Sequence, residues 1–304
     1  MDQPKHEQPA RDLPGEVAYF LALWRNVHRP PPPRLSHYTD AAGLCGIVRS
    51  GSLWATHIYY LNDSLEFKYG SQVINNIFTH EIDSSQGQIT QRLRRLQECY
   101  QSHFAIWESL ADPYVVCFCE AGNLLSQWRA YATNGSGFAI EFEPARLIQV
   151  LERDPEISEN SKLLKVLYDD NEQRQFTKLA IDQLVKAFDA HPEQEVLDSV
   201  PLVFSEMSLC FKHRAFAEED EWRLVFMPRT EGFVDVRVRE GRLLPYASVH
   251  FGDPNERPPY STIVHGPTLE AENTKRAIKM LLGKTNKYWD LVVITGSDAP
   301  LRSR

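Results

Sequence analysis

Apolar and polar positions along this chain alternate between two periods, and the changes of period mark its elements. From Arg34 to Tyr38, and again from Leu53 to Tyr60, the spacing is that of a strand, while Ala41 to Arg49 between them reads as a helix that Thr39-Asp40 can cap and Ser50-Gly51 can end. The opening order is strand, helix, strand. From Glu66 to about Leu110 the period lengthens toward 3.6, clearest in LRRLQECYQSHFAIW, with a break near Ser84 to Gly87. This stretch predicts a helical insertion.

Beyond it, strands are predicted at Pro113 to Glu120, Gly137 to Glu143 (ending at Pro144) and Leu163 to Tyr168, with a short helix over Asn123 to Tyr131. Helices over Glu172 to Ala190 and Glu195 to Lys212 make a second insertion. Strands follow at Glu221 to Met227, Phe233 to Val238 and Leu243 to Phe251, the last two around a turn at Glu240-Gly241. A strand at Ser261 to Val264, a Gly-Pro turn, a helix from Leu269 to Leu282 and a strand at Leu291 to Thr295 complete the pattern. Many short strands with helices held in blocks predict an α+β fold with a mixed, mostly antiparallel sheet. Residues 1–33 read as a mobile tail, a short helix from Gly15 to His28 and a proline spacer, and 34–304 as one domain with helical insertions near 66–110 and 172–212.

Composition narrows the class without naming a function. Hydrophobic residues make up 42% and charged residues 24% of the 304, the balance of a folded protein. A net charge of −8 repels phosphate backbones, so nucleic-acid contact would need a local basic patch. Five cysteines, at 45, 99, 117, 119 and 210, lack the spacings of a zinc site or a disulfide framework and read as reduced thiols. Cys117 and Cys119 should share one strand face as a buried structural pair. The N-terminal segment has neither the basic start nor the apolar core of a signal peptide, and no window offers the ~20 apolar residues of a membrane span. A cytoplasmic protein without membrane contact is the expectation.

Four constellations can carry chemistry. His37 closes the first strand beside Tyr38 and Thr39, and Asn62, Asp63 and Glu66 follow the second strand, where the simpler role is a helix cap. In SQWRAYATNGSGFAIEF, Trp128, Arg129 and Tyr131 can wall a pocket for a flat, charged ligand; equally, Trp128 and Tyr131 can bury one helical face. In EEDEWRLVF, alternation puts Glu221 and Arg223 on one strand face with Trp222 on the other. A solvated acidic turn accounts for Glu218 to Asp220 but not for the charges inside the strand. The Gly-rich phosphate loop, the nucleophile elbow and the zinc helix are all missing from the sequence.

Taken in order, H-Y-T, Ser-Gly-x-Leu-Trp, Leu-Asn-Asp-x-x-Glu-Phe, Gln-Trp-x-x-Tyr-Ala before Gly-Phe-Ala-Ile-Glu-Phe, Glu-x-Glu-Trp-Arg and a late His-Gly-Pro resemble the mainly bacterial domain-of-unknown-function family numbered twenty-nine seventy-one. That resemblance runs from Leu35 to the end of the chain, through Gly266-Pro267 and Ser297 to Arg302. A looser one is to the ADP-ribosyltransferase superfamily of the histidine type, which implies a split sheet, His37 on the NAD ribose, an aromatic on nicotinamide and Glu221 against the oxocarbenium-like transition state. For the aromatic, Trp54, Tyr59 and Tyr60 compete.

The resemblance implies an NAD-using transferase or glycohydrolase, a toxin or antiphage-defence effector, with Tyr38, Thr39, Trp54, Tyr60, Asn62, Asp63, Trp128, Tyr131 and Arg223 lining its pocket. Arg223 suits a pyrophosphate, NAD is the substrate and no metal is required. The acceptor would be a protein, a nucleic acid or water, and a regulatory or antitoxin partner would control the activity. Two other readings stay open: a magnesium-dependent nuclease using Asp63, Glu66 and Glu221, and a non-catalytic ligand-sensing or interaction module.

Overall fold

A computed structural model of the chain describes residues 13–28, 30–61, 66–110, 113–131, 137–239, 241–267 and 270–299, without the side chains at 66–67, 106–110, 131 and 231. The elements are, in chain order, α1 (Gly15–Val27), β1 (Leu35–Thr39), α2 (Ala41–Ser50), β2 (Ser52–His57), α3 (Glu66–Asp83), α4 (Gln88–Leu110), β3 (Tyr114–Cys119), α5 (Leu125–Tyr131), β4 (Phe138–Phe142), α6 (Pro144–Leu151), α7 (Pro155–Asn160), β5 (Ser161–Lys165), α8 (Asp170–Ala187), α9 (Glu193–Cys210), β6 (Glu221–Phe226), β7 (Val234–Arg239), β8 (Arg242–His250), β9 (Tyr260–His265), α10 (Ala271–Thr285) and β10 (Val293–Gly296). The fold is α+β.

The chain forms two compact units. One comprises residues 1–27, 68–110 and 169–211; the other comprises 28–67, 111–168 and 212–304. In the first, α1 is amphipathic and buries Val17, Phe20 and Trp24, the spacing that places side chains on one helical face. Trp24 meets Phe176 and Phe211 edge-on at 5.6 and 6.4 Å. A second aromatic group joins Phe78 on α3, Tyr100 on α4 and Phe204 on α9. Gly70 is explained by close approach, since a Cβ there would stand 2.2 Å from the carbonyl oxygen of Ser208. Both predicted insertions and the N-terminal helix thus contribute to one unit.

The second unit is built on a ten-stranded sheet whose main path runs β10-β9-β4-β1-β3-β2-β8-β7, with β6 on β3 and β5 on β6. Only β9 and β10 are parallel. Its core joins Leu35, Phe118, Ile140, Phe142, Trp222, Leu224 and Val249 to Leu44, Ile47 and Val48 of α2 and to Ile278 and Leu282 of α10. The decisive feature is β3, which pairs with β6 along its full length but shares its other edge between two strands. Ser36 of β1 pairs with Cys119 at one end, and Thr56 and His57 of β2 pair with Val115 and Tyr114 at the other. The sheet therefore opens between β1 and β2.

Local chemistry sets the elements around this opening. Asp40 caps α2 by accepting from the Gly43 amide at 2.7 Å, and Gly51 ends it in the left-handed region at φ 60, where a side chain is strained. The predicted strand over Leu53 to Tyr60 is shorter than expected: Nδ1 of His57 accepts from the Tyr59 amide at 3.3 Å and turns Ile58–Tyr60 into a short 3₁₀ helix. Pattern reading also stops at Pro144 and omits α6 and α7. Proline at the first position of each begins a helix there, because that amide has no intrahelical acceptor.

Candidate functional site

The opening between β1 and β2 forms a cleft with a cavity of about 210 Å³. His37, Tyr38, Thr39 and Asp40 line it from one side, Trp54, Thr56 and Tyr60 from the other, and Val115 to Cys117 form its floor, with Arg237, Arg239 and Arg242 from the β7–β8 hairpin. Among the described residues, three guanidiniums face one lining carboxylate, Asp40, in a chain whose net charge is −8. The cleft therefore concentrates positive charge against the balance of the chain.

His37 stands at the fork. Beyond the single β1–β3 pair the strands separate, and the Cys117 carbonyl, left without a ladder partner from β1, takes a hydrogen bond from His37 Nδ1 at 2.9 Å. Burial lowers its pKa from the ordinary 6.5 to about 4, with the nearby Arg237 and Arg239 charges adding to the shift and the bond to Cys117 opposing it. The ring is neutral at pH 7. A carbonyl can only accept, so Nδ1 carries the proton and Nε2 is an acceptor, suited to a ligand hydroxyl.

A pH prediction follows from this burial. A histidine with a depressed folded pKa contributes stability that is fully present above its unfolded value and is lost as pH falls toward the folded one. Chemical denaturation of the parent protein should lose about 3 kcal/mol more than a His37→Gln variant between pH 6.5 and 4. Parallel pH profiles of the two proteins would show that His37 is not buried neutral.

Arg237 is held within the cleft by its neighbours. It donates to Thr56 Oγ1 at 2.8 Å and lies over the rings of Trp54 and Tyr246 at 5.4 and 5.8 Å. Its Nε is buried with no hydrogen-bond partner, an uncompensated donor beside the cavity. Burial and the like charge of Arg239 lower its pKa. An anion in the cleft would relieve all of these costs. Trp54 meets this guanidinium and, tilted at 44°, Tyr246, whereas Tyr60 is 48% exposed at the rim.

The other expected site residues fall elsewhere. Glu221 does not line the cleft; it is 2% exposed, donors on Arg223 approach both its oxygens at 2.8 and 3.1 Å, and Lys212 Nζ reaches one at 2.9 Å. The strand register puts Glu221 and Arg223 on the face of β6 that meets Cys119 and Cys117. His37 instead packs its ring on Phe118, on the opposite face of β3, at 5.8 Å. His37 thus lines the cleft, while Glu221 is taken up by Arg223 and Lys212 outside its lining. Arg223, expected on a pyrophosphate, is spent on Glu221, because a buried carboxylate of this kind needs matched donors.

Trp128 is a packing residue. It is 1% exposed, meets Tyr38 edge-on at 5.0 Å and donates from Nε1 to Asn123 at 2.8 Å. Tyr38 borders the cleft, but its hydroxyl is engaged, donating to the Ala121 carbonyl at 3.0 Å and accepting from the Leu124 amide at 2.9 Å. Thr39 stays at the cleft wall. Asn62 and Asp63, the Glu66 carboxylate and the Tyr131 side chain lie outside the described residues.

Cys117 and Cys119 share a face, as the alternation predicts, and burial raises both thiols far above their usual range, with the Glu221 charge adding to the effect. Neither is a thiolate nucleophile at neutral pH. Among the described residues no group of three or more His, Cys, Asp or Glu side chains is placed to hold a metal ion. No described helix is long and apolar enough to cross a membrane.

The arginines of the hairpin are what sequence reasoning missed. VDVRVREGR reads as a strand entering a turn, yet the same alternation places Arg237 and Arg239 on one face, and the hairpin register adds Arg242 opposite Arg239.

Comparison with known families touches part of this architecture. Residues 127–224 match a family model described as Protein of unknown function (DUF2971). The match runs from within α5 through β4 into β6, takes in the Gln-Trp and Glu-Trp-Arg motifs, and includes neither His37 nor the hairpin arginines. No match was found among curated proteins or among solved structures.

Proposed function

We propose that the cleft between β1 and β2 binds NAD or a closely similar dinucleotide. One juxtaposition carries this reading: a neutral histidine with a free acceptor, an aromatic wall and three arginines surround one cavity. A ribose hydroxyl suits His37 Nε2, a flat ring suits Trp54 or Tyr60, and a pyrophosphate suits Arg237 with Arg239 and Arg242. At about 210 Å³ the enclosed space is below the usual range for a whole drug-sized ligand, roughly 300 to 1,000 Å³. It suits one nucleoside half, with the remainder over the open rim.

ADP-ribosyl transfer is the second reading, favoured by His37 on the first strand of a strand-helix-strand unit at a split sheet. Breaking the nicotinamide bond develops positive charge on the sugar, which a fixed carboxylate must meet. Asp40 is the one carboxylate among the described lining residues, and it is engaged as the α2 cap. Glu221 would have to leave Arg223 and Lys212 to serve. The geometry therefore favours binding over turnover in the isolated chain. A protein or nucleic-acid acceptor and a regulatory or antitoxin partner belong to this second reading.

Calorimetry with NAD, ADP-ribose and ATP, beside an assay of nicotinamide release, tests both. Saturable NAD binding without release is the expected result. No binding heat and no melting shift with any of the three would overturn the nucleotide reading. Release that Glu221→Gln abolishes in a fully folded protein would install the transferase in its place.

A further inference from the structure

We propose that β7 is a self-association edge, pairing antiparallel with β7 of a second copy about a two-fold axis at Val236. On its inner side β7 pairs with β8, with Arg239 opposite Arg242 across two intervening residues, Val238 opposite Leu243 and Val236 opposite Pro245. In such a hairpin the residues flanking the turn exchange hydrogen bonds and the next pair does not, so the alternation makes Val234, Val236 and Val238 the non-bonded positions. Their amides and carbonyls face away from β8. Two observations agree: Pro245 has no amide to give Val236, and the Val236 amide donates instead to Asp235 Oδ1 at 2.7 Å.

Centred on Val236, the self-pairing matches every outward group. Val236 meets Val236 of the partner subunit, and Val234 and Val238 meet each other twice, for about six main-chain hydrogen bonds. The same register sets Asp235 opposite Arg237 of the partner subunit, and the reverse, at the close Cα separation of about 4.5 Å found in non-bonded pairs. The charge sequence of β7 is complementary to itself in this register, which identifies the occupant as a second copy. The apolar stripe supports the same occupant: Val236, Val238 and Leu243 are 52, 73 and 68% exposed on one face of the hairpin, an aggregation hazard that pairing would remove. Forming the pair releases the Val236 amide from Asp235 and sets that carboxylate in the field of the partner's Arg237, whose guanidinium keeps its place in the cleft.

Sedimentation velocity of the full chain over about a hundredfold range of concentration tests this. A reversible monomer–dimer equilibrium is expected, shifted at least about tenfold toward monomer by Asp235→Arg, which sets like charges opposite each other. Val236→Pro should do the same by removing the central donor, at a position that gives no ladder bond to β8. Thermal melts like the parent's would show both variants folded. The double variant Asp235→Arg with Arg237→Asp, shown folded by the same melt, should recover the dimer. A monomer at every concentration, a dimer that the single variants leave unchanged, or no recovery in the double variant would overturn the pairing.

Discussion

Glu221→Gln should cost about 3 to 5 kcal/mol of stability, seen as a marked fall in denaturation midpoint, because it leaves Arg223 and Lys212 buried beside a neutral amide. The carboxylate is the centre of a network and not one half of a surface pair. Its two oxygens take donors from Arg223 and Lys212, Lys212 also pairs with Glu219, and its backbone amide donates to the Tyr168 hydroxyl at 3.1 Å. Burial alone would raise its pKa, but the charges of Arg223 and Lys212 win and lower it to about 2. A carboxylate depressed in this way contributes stability above its unfolded pKa and loses it only as pH falls through about 2, a window below the one assigned to His37. Urea titrations at pH 7 measure the loss directly. A variant as stable as the parent but unable to turn over NAD would show that Glu221 acts in catalysis and that its pairing is incidental.

Arg237→Ala should weaken NAD or ADP-ribose binding by roughly thirtyfold or more, the cost of truncating one buried member of a hydrogen-bonded charge pair. Arg237→Glu should remove binding altogether. Three features single out Arg237 over Arg239 and Arg242: its bond to Thr56, its place over Trp54 and Tyr246, and its unsatisfied Nε. The first two fix the guanidinium in place, so little rotamer entropy is lost when an anion arrives. Calorimetry at two ionic strengths separates a contact from a field effect. A contact loses affinity steeply on mutation at both salts, while a field effect fades with salt. Unchanged affinity in Arg237→Ala would remove the anion subsite from the cleft.

Much of the fold was legible because local signals carry it. The β1–α2–β2 unit follows from alternation, the Asp40 cap and the Gly51 stop, and the two long helices from Glu66 to Leu110 follow from an unbroken 3.6 period with a polar interruption at Ser84 to Gly87. Helices α6 and α7 were hidden by their prolines, which end a strand and begin a helix with equal ease. The place of His37 at a strand end was legible, and the structure sets it in the wall of a cleft. Its neutral state was not legible, since that depends on burial against Phe118 and on two arginines distant in sequence.

Glu221 and Arg223 show the opposite case. Alternation placed them correctly on one face, and the sequence could not say that they would pair with each other and with Lys212 in a buried network. Trp128 and Tyr131 posed the same ambiguity, which for Trp128 resolves into packing on Tyr38.

Most elements, their caps and turns, and the α+β class were legible in the chain's own pattern, because each depends on residues within a few positions of one another. Only the long-range packing set where the sheet splits, that the hairpin arginines join His37 in the cleft, and that Glu221 is engaged by Arg223 and Lys212 outside its lining. Those outcomes depend on which strands share the edge of β3. A long-range register fixes that choice, and short-range periodicity does not encode it.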